Sequence, residues 1–87
     1  MYFDSYSDEI VKKLVKLNKK DSNHLSIVRK KINYIIKNPM HSYKFLHHNL
    51  KGFNRVHIGH FVLVFKIDYE EKKVIFEDYD HHDKIYL

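Results

Sequence analysis

The stretch LKGFNRVHIGHFVLVFKI, residues 50–67, decides the fold of this chain. Polar and apolar residues are interleaved over residues 53–58, and Gly59 separates this run from a second one over residues 61–69 that is rich in β-branched and aromatic side chains. Residues 62–65 form a continuous apolar run, which is typical of a central strand covered by helices on one face. The stretch therefore predicts two neighbouring strands joined by a turn at Gly59.

The region before these strands predicts two helices. Residues 5–37 contain no glycine or proline, and Asn38-Pro39 ends the second helix because proline disfavours the helical conformation in the residue before it. Ser5, with Asp8 three residues later, is the predicted N-cap of the first helix. A polar turn around residues 20–23 separates the helices. Apolar residues recur at helical spacing: Tyr6, Ile10, Val11, Leu14, Val15 and Leu17 in the first helix, and Leu25, Val28, Ile32 and Ile35 in the second.

The remaining segments complete the predicted architecture. Residues 40–51 show no clean period and predict a loop with one short helical turn, whereas residues 73–79 and a short segment at 85–86 predict strands. Tyr2 and Phe3 predict an edge strand. The predicted fold is an α+β domain over residues 1–87, with two N-terminal helices packed on a small antiparallel β-sheet in the order β-α-α-β-β-β.

Composition limits the class of protein. Eighty-seven residues suffice for one domain with a modest core, and the absence of cysteine excludes disulfides, a thiolate nucleophile and cysteine-ligated zinc. The N-terminus lacks the pattern of a signal peptide, and no apolar run approaches the roughly 18 residues that a membrane span needs. We therefore expect a cytoplasmic protein without membrane contact.

Charge is distributed unevenly along the chain. Residues 10–66 carry 13 basic side chains and a single acidic one, whereas residues 67–87 carry seven acidic and three basic side chains. Such an asymmetry predicts one side that faces a polyanion and a separate acidic edge. A basic helix face is about as often merely solvated, so this pattern alone does not establish nucleic-acid binding.

The candidate site begins with Arg55 and His57. They are two residues apart on a predicted strand and so point to the same face of the sheet. The adjacent pairs His47-His48 and His81-His82 raise the question of a metal site. Because adjacent residues on a strand point to opposite faces, we expect no metal and no cofactor.

The order of these features resembles the RelE/ParE superfamily of toxin–antitoxin toxins. His48-Asn49-Leu50-x-Gly52-Phe53 is similar to the segment that leads into the second strand of YoeB-type members, and HHDKIY, residues 81–86, resembles the family's His-Arg-x-x-Val-Tyr ending. The resemblance covers nearly the whole chain. It implies the compact α+β fold shared by ribosome-dependent mRNA endonucleases and gyrase-targeting relatives.

Two positions depart from the family pattern. Val62 stands where the endonucleases usually carry arginine in the third strand, and His82 stands where the closing motif usually has arginine. The resemblance carries over Arg55 and His57 on the strand that bears basic residues in the endonucleases, and Tyr86 at the C-terminal tyrosine.

We assign roles to the matching residues as a hypothesis for RNA cleavage without metal. Arg55 holds the scissile phosphate, His57 or Tyr86 is the base, and His82 is the acid or stabilises charge. Further RNA-binding candidates are Lys44, His47, Lys51, His60 and His81.

Two alternatives remain at this point: a ParE-type toxin that binds DNA gyrase without catalysis, and a degenerate member retained as a partner of its antitoxin. The resemblance implies mRNA and the ribosome as partners for the nuclease. In every case it implies a cognate RelB-like antitoxin, bound in a hetero-oligomeric complex across the basic face.

Overall fold

The computed structural model describes residues 1–46 and 52–86. In chain order the elements are β1 (Phe3–Tyr6), α1 (Asp8–Lys20), α2 (Ser22–Lys37), β2 (Lys44–Phe45), β3 (Asn54–Ile58), β4 (Phe61–Asp68), β5 (Lys73–His81) and α3 (His82–Ile85). The predicted α+β class and the two N-terminal helices are confirmed.

The five strands form one sheet in the order β1-β5-β4-β3-β2. The pairs β2–β3, β3–β4 and β4–β5 are antiparallel, but β1 runs parallel to β5, so the sheet is mixed and not antiparallel as predicted. The reason is the connection: β1 leads into two helices, and a long helical crossover permits parallel pairing, which a tight hairpin does not. β2 lies inside the stretch predicted to be a loop.

The start of α1 differs from the prediction. Ser7, not Ser5, is the N-cap, because its Oγ accepts a hydrogen bond from the backbone N–H of Ile10 at 3.1 Å. Ser5 and Tyr6 instead belong to β1, where they pair with Ile75 and Phe76 of β5. Local capping patterns allow either serine, and the strand pairing selects the later one.

The helices cover one face of the sheet. Their buried residues pack against alternate residues of β4 and β5, in a cluster that comprises Ile10, Val28, Ile32, Ile35, Leu63, Phe65, Val74, Phe76 and Tyr79. Val11 and Val15, two of the apolar residues that recur along the first helix, are 45% and 53% exposed. Tyr34 and Phe45 are likewise exposed. Within the described ranges, no helix combines the length and apolarity needed to cross a bilayer.

A second, smaller cluster lies on the opposite face. Leu46, Val62 and Val64 are buried there, and Phe53, Ile85 and Tyr86 pack against them. The strand predicted at residues 85–86 is wrong, because α3 occupies His82–Ile85 and the Tyr86 N–H donates to the carbonyl of His82 at 3.1 Å. The helical turn lets the side chains of Ile85 and Tyr86 both reach the second cluster.

An ion-pair network joins α1 to β5. Lys13 Nζ lies 2.7 Å from Asp78 Oδ1 and 2.9 Å from Asp80 Oδ2. Burial opposes the charge on Lys13, but hydrogen bonds and attraction from both carboxylates raise its pKa above the ordinary value. Burial likewise opposes the charge on Asp80, yet the Lys13 hydrogen bond, the His81 backbone N–H and nearby lysines hold the pKa of Asp80 below its ordinary value.

We expect Lys13→Met to lower the free energy of unfolding by about 2 kcal/mol at pH 7, because it leaves two partly buried carboxylates without their cation. A folded-state pKa below the unfolded value of about 3.9 stabilises the fold above that pH, and this contribution disappears as pH falls through the folded value. The Lys13→Met deficit should therefore shrink in acid.

Urea unfolding of the wild type and the variant at pH 7 and in acid measures this difference. Lys12→Met, at an exposed position of the same helix, is the matched control and should change stability little. If both variants lost the same free energy of unfolding, the ion pairs of Lys13 with Asp78 and Asp80 would not stabilise the fold as expected.

Candidate nucleic-acid interface

Lys44, Arg55 and His57 lie on the face of the sheet opposite α1 and α2, here called the site face. Residues paired across antiparallel strands point to the same side. Arg55 pairs with Lys44 on one side and Val64 on the other, and His57 pairs with Val62. Because Val62 and Val64 belong to the second cluster, their partners share the site face.

Arg55 and His57 are neighbours on β3, as the alternation predicted. Arg55 Nη1 lies 3.4 Å from His57 Nδ1, and Arg55 Nε donates to the carbonyl of Phe45 at 3.0 Å. The second bond fastens the guanidinium to the edge strand β2. The arginine is thereby oriented beside the imidazole, with the imidazole ring exposed to solvent.

The electrostatic surroundings of His57 show which residues are close to it. Partial desolvation of the ring, although the side chain is largely exposed, is the main cause that lowers the pKa of His57 below its ordinary 6.5. The positive charges of Arg55, His82 and Lys44 lower this pKa further. Three of the predicted site residues, Lys44, Arg55 and His82, therefore lie close enough to act on His57. The imidazole of His57 is neutral near pH 7.

Three other histidines form a cluster where β5 ends. The rings of His81 and His82 stack with centroids 4.6 Å apart, and the ring of His60 lies 6.1 and 6.3 Å from them. The prediction that His81 and His82 point to opposite faces is wrong, because His81 is the last residue of β5 and His82 the first of α3. The backbone N–H of His82 donates to the carbonyl of His60 at 2.9 Å, which fixes this end of the sheet.

Tyr86 occupies a different environment from the other predicted catalytic residues. Its ring packs on the cluster of Leu46, Val62 and Val64, and its phenolic oxygen is buried. Val62, at the position where the family usually has arginine, is fully buried in the same cluster. His47 and Lys51, two predicted RNA-binding residues, lie outside the described residues.

Sequence reasoning missed two polar features near the site. Asp83 was not singled out, yet its carboxylate lies 3.2 Å from His82 Nδ1 and 3.5 Å from His81 Nδ1. His24 is not among the predicted site residues, yet its Nε2 hydrogen-bonds the hydroxyl of Tyr79 at 2.6 Å, and burial raises the pKa of Tyr79 to about 12. The helical spacing of His24 with Val28, four residues on, is the sequence pattern that could have placed it on the buried side.

Comparison with known proteins gives two close relatives in sequence. No model of a known protein family matches the chain. An uncharacterized protein of Methanosarcina mazei is 49% identical over 87 residues, which cover 99% of this chain and all of the relative. The protein named "Putative toxin RelE4" of Methanocaldococcus jannaschii is 48% identical over 87 residues, which cover 99% of this chain and 92% of the relative.

Solved structures share the fold at lower identity. A metal-bound toxin from Helicobacter pylori superposes with a TM-score of 0.82 at 21% identity, covering 97% of this chain and 98% of that one. The toxin of the toxin–antitoxin complex RelBE2 from Mycobacterium tuberculosis superposes with a TM-score of 0.76 at 23% identity, covering 93% and 98%. These likenesses agree with the helix and strand arrangement described above.

We expect Arg55→Gln to raise the pKa of His57, because it removes the nearest fixed positive charge and leaves the ring's desolvation in place. The pKa should remain below 6.5, since desolvation is the larger cause. Titration of the His57 ring proton by NMR measures the change.

Arg29→Gln is the matched control for this titration, since Arg29 lies on α2 and is the only other arginine in the sequence. It should leave the His57 pKa unchanged. An unaltered His57 titration in Arg55→Gln would contradict the proposed coupling between these two side chains.

Proposed function

This chain belongs to the RelE family of toxins, and from that premise we propose that it is the toxin of a toxin–antitoxin pair and cleaves mRNA on the ribosome without a metal. The observation that carries the proposal is the contact between Arg55 and His57 on the site face. It pairs a permanent cation with an imidazole that is neutral near pH 7. A ribosomal substrate also places the proposed activity in the cytoplasm.

RNA cleavage of this kind needs three groups. A base removes the proton from a 2′-hydroxyl, and the 2′-oxygen attacks the adjacent phosphorus. Cations stabilise the charge that develops on the phosphoryl oxygens. An acid then protonates the 5′-oxygen as its bond to phosphorus breaks, which leaves a 2′,3′-cyclic phosphate and a 5′-hydroxyl.

The geometry favours His57 over Tyr86 as the base. A general base must accept a proton at the working pH, and the lowered pKa of His57 keeps its imidazole unprotonated there. The phenolic oxygen of Tyr86 is buried and its ring packs on the cluster of Leu46, Val62 and Val64, so a substrate hydroxyl reaches it less readily than the exposed imidazole of His57. Tyr86 then serves to pack the C-terminal segment against the site face.

Arg55 and His82 supply the remaining roles. Arg55 holds the scissile phosphate, and a histidine at position 82 can donate a proton to the leaving oxygen, which an arginine cannot do at neutral pH. Lys44, paired with Arg55 across β2 and β3, steers the RNA backbone. His60 and His81 extend the same interface, and His47 and Lys51 complete the proposed RNA-binding set.

We expect His57→Ala to reduce ribosome-dependent mRNA cleavage by about 10²- to 10⁴-fold, the usual effect of removing a general base. Arg55→Ala should reduce it by about 10²- to 10³-fold, through loss of phosphate stabilisation. Primer extension on mRNA, with purified ribosomes and toxin, measures both. Tyr86→Phe should retain most of the activity if His57 is the base.

Arg29→Ala, on the opposite side of the sheet, is the control and should cleave at the wild-type rate. Wild-type rates in Arg55→Ala, His57→Ala and Tyr86→Ala alike would overturn the nuclease proposal. Trapped gyrase complexes would then support the ParE-type alternative, and harmless expression without an antitoxin would support the degenerate one.

A cognate RelB-like antitoxin is the proposed protein partner. The Mycobacterium tuberculosis neighbour is itself part of a toxin–antitoxin complex, as is the neighbouring RelBE structure from Escherichia coli. The site face of this chain presents Lys44, Arg55 and His57 together, so it complements an acidic or amphipathic segment. Such a segment would cover the cations that contact RNA.

Reversing a charge on this face should weaken antitoxin binding. We expect Lys44→Glu to raise the dissociation constant at least about tenfold, chiefly in low salt, because it places a negative charge against an acidic segment. Calorimetric titration of the toxin with its antitoxin measures the effect. Lys30→Glu, on α2, is the control, and equal weakening by both variants would contradict binding at the site face.

A further inference from the structure

We propose that His81, His82 and Asp83 form a binding site for a transition-metal ion such as Zn²⁺ or Ni²⁺. One ligand atom from each of these side chains lies within 4.8 Å of the other two. Two imidazole nitrogens and a carboxylate oxygen are the donors that zinc and nickel accept, whereas Mg²⁺ and Ca²⁺ prefer oxygen alone. The site is assembled by residues that follow one another in the chain.

The backbone at the end of β5 makes this arrangement possible. His81 caps α3 with φ −59° and ψ 144°, an extended conformation, and His82 begins the helical turn. This change brings two adjacent imidazole rings to the same side, 4.6 Å apart, where a continued strand would separate them. A local change in backbone conformation therefore creates the chelating pair.

Asp83 already faces both rings. Its Oδ1 lies 3.2 Å from His82 Nδ1 and its Oδ2 lies 3.5 Å from His81 Nδ1. In a tetrahedral zinc site with bonds of about 2.0–2.1 Å, ligand atoms are about 3.4 Å apart. The separations present are close to that value, and the exposed carboxylate is able to turn.

Binding through His81 Nδ1 has an identifiable cost. That atom accepts a hydrogen bond from the backbone N–H of Asp83 at 3.2 Å, and a metal bound there would replace it. The exchange affects one exposed hydrogen bond at the first turn of a four-residue helix, so its cost is small beside that of metal–ligand bonds.

His60 is a candidate for a fourth ligand, a position that its ring would reach only by turning towards the other three. Its ring lies 6.1 Å from that of His81 and 6.3 Å from that of His82, measured between centroids. The side chain is exposed, so its ring turns without disturbing the core. The hydrogen bond from His82 N–H to the His60 carbonyl, 2.9 Å long, holds the two backbones together and keeps the fourth ligand within reach.

Occupation of this site has a consequence for the proposed nuclease. His82 is both a metal ligand and the proposed acid, and a metal-bound imidazole cannot donate a proton from the coordinated nitrogen. Because the metal occupies the nitrogen lone pair that would carry the second proton, a bound His82 has no imidazolium form to act as the acid, and the ion would inhibit RNA cleavage. This inhibition rests on the proposed function, whereas metal binding itself does not.

The test is calorimetric titration of tag-free protein with ZnCl₂ and, separately, NiCl₂, with MgCl₂ as the negative control. We expect one Zn²⁺ or Ni²⁺ ion per chain and no binding of Mg²⁺. Asp83→Asn and His81→Gln should each weaken binding at least about tenfold, since each removes one of three or four ligands. Both side chains are at the surface, and circular dichroism should show an unchanged fold.

His41→Gln is the matched control, because His41 is exposed and lies outside this cluster; it should bind Zn²⁺ like the wild type. The double variant His47→Gln/His48→Gln tests the other histidine pair in the sequence. If that variant loses the metal while His81→Gln and Asp83→Asn keep it, or if the wild type binds neither ion, the proposal is overturned.

A cleavage assay separates the two proposals. If both hold, Zn²⁺ inhibits the wild type, and Asp83→Asn, compared with its own rate in the absence of metal, is at least about tenfold less sensitive to Zn²⁺. If the chain binds Zn²⁺ but cleaves no RNA, the metal site stands and the nuclease proposal fails. If the wild type cleaves RNA but binds no Zn²⁺, the nuclease proposal stands and the metal site fails.

Discussion

Burial of β4 on both of its faces is the constraint on which the rest of the structure depends. Leu63 and Phe65 point into the core beneath α1 and α2, while Val62 and Val64 pack with Leu46 on the opposite side. Each of these four β4 residues is at most 2% exposed. One strand therefore joins the helical layer to the site face. A polar side chain at any of these positions would face an apolar surface without a partner.

The pattern of the sequence predicts the central elements because their cause is local. Alternation over residues 53–58 and the apolar run at 62–65 specify β3 and β4, and the same alternation places Arg55 and His57 on one face. The family resemblance drawn from these residues is confirmed by the 48% identical relative. The start of α1 could not be predicted, because pairing of β1 with β5, about 70 residues away in the chain, decides between Ser5 and Ser7.

The end of the chain shows a second limit of sequence reasoning. The sequence predicts a short strand at residues 85–86, yet a turn of helix packs Ile85 and Tyr86 on the second cluster. That outcome depends on the apolar surface of β4, which the segment itself does not encode. The pairing of His81 with His82, and the contact of both with Asp83, follow from the same turn.

The parallel pairing of β1 with β5 also affects the order in which the chain folds during synthesis. Phe3 pairs with Lys73, so β1 cannot join the sheet until β5 has been synthesised. The two helices emerge before the strands that they cover, and their apolar stripes remain exposed until β4 and β5 follow. The sheet, and with it the cationic surface formed by Arg55, His57 and His82, is consequently assembled only after β5 and the turn that follows it have left the ribosome that makes the chain.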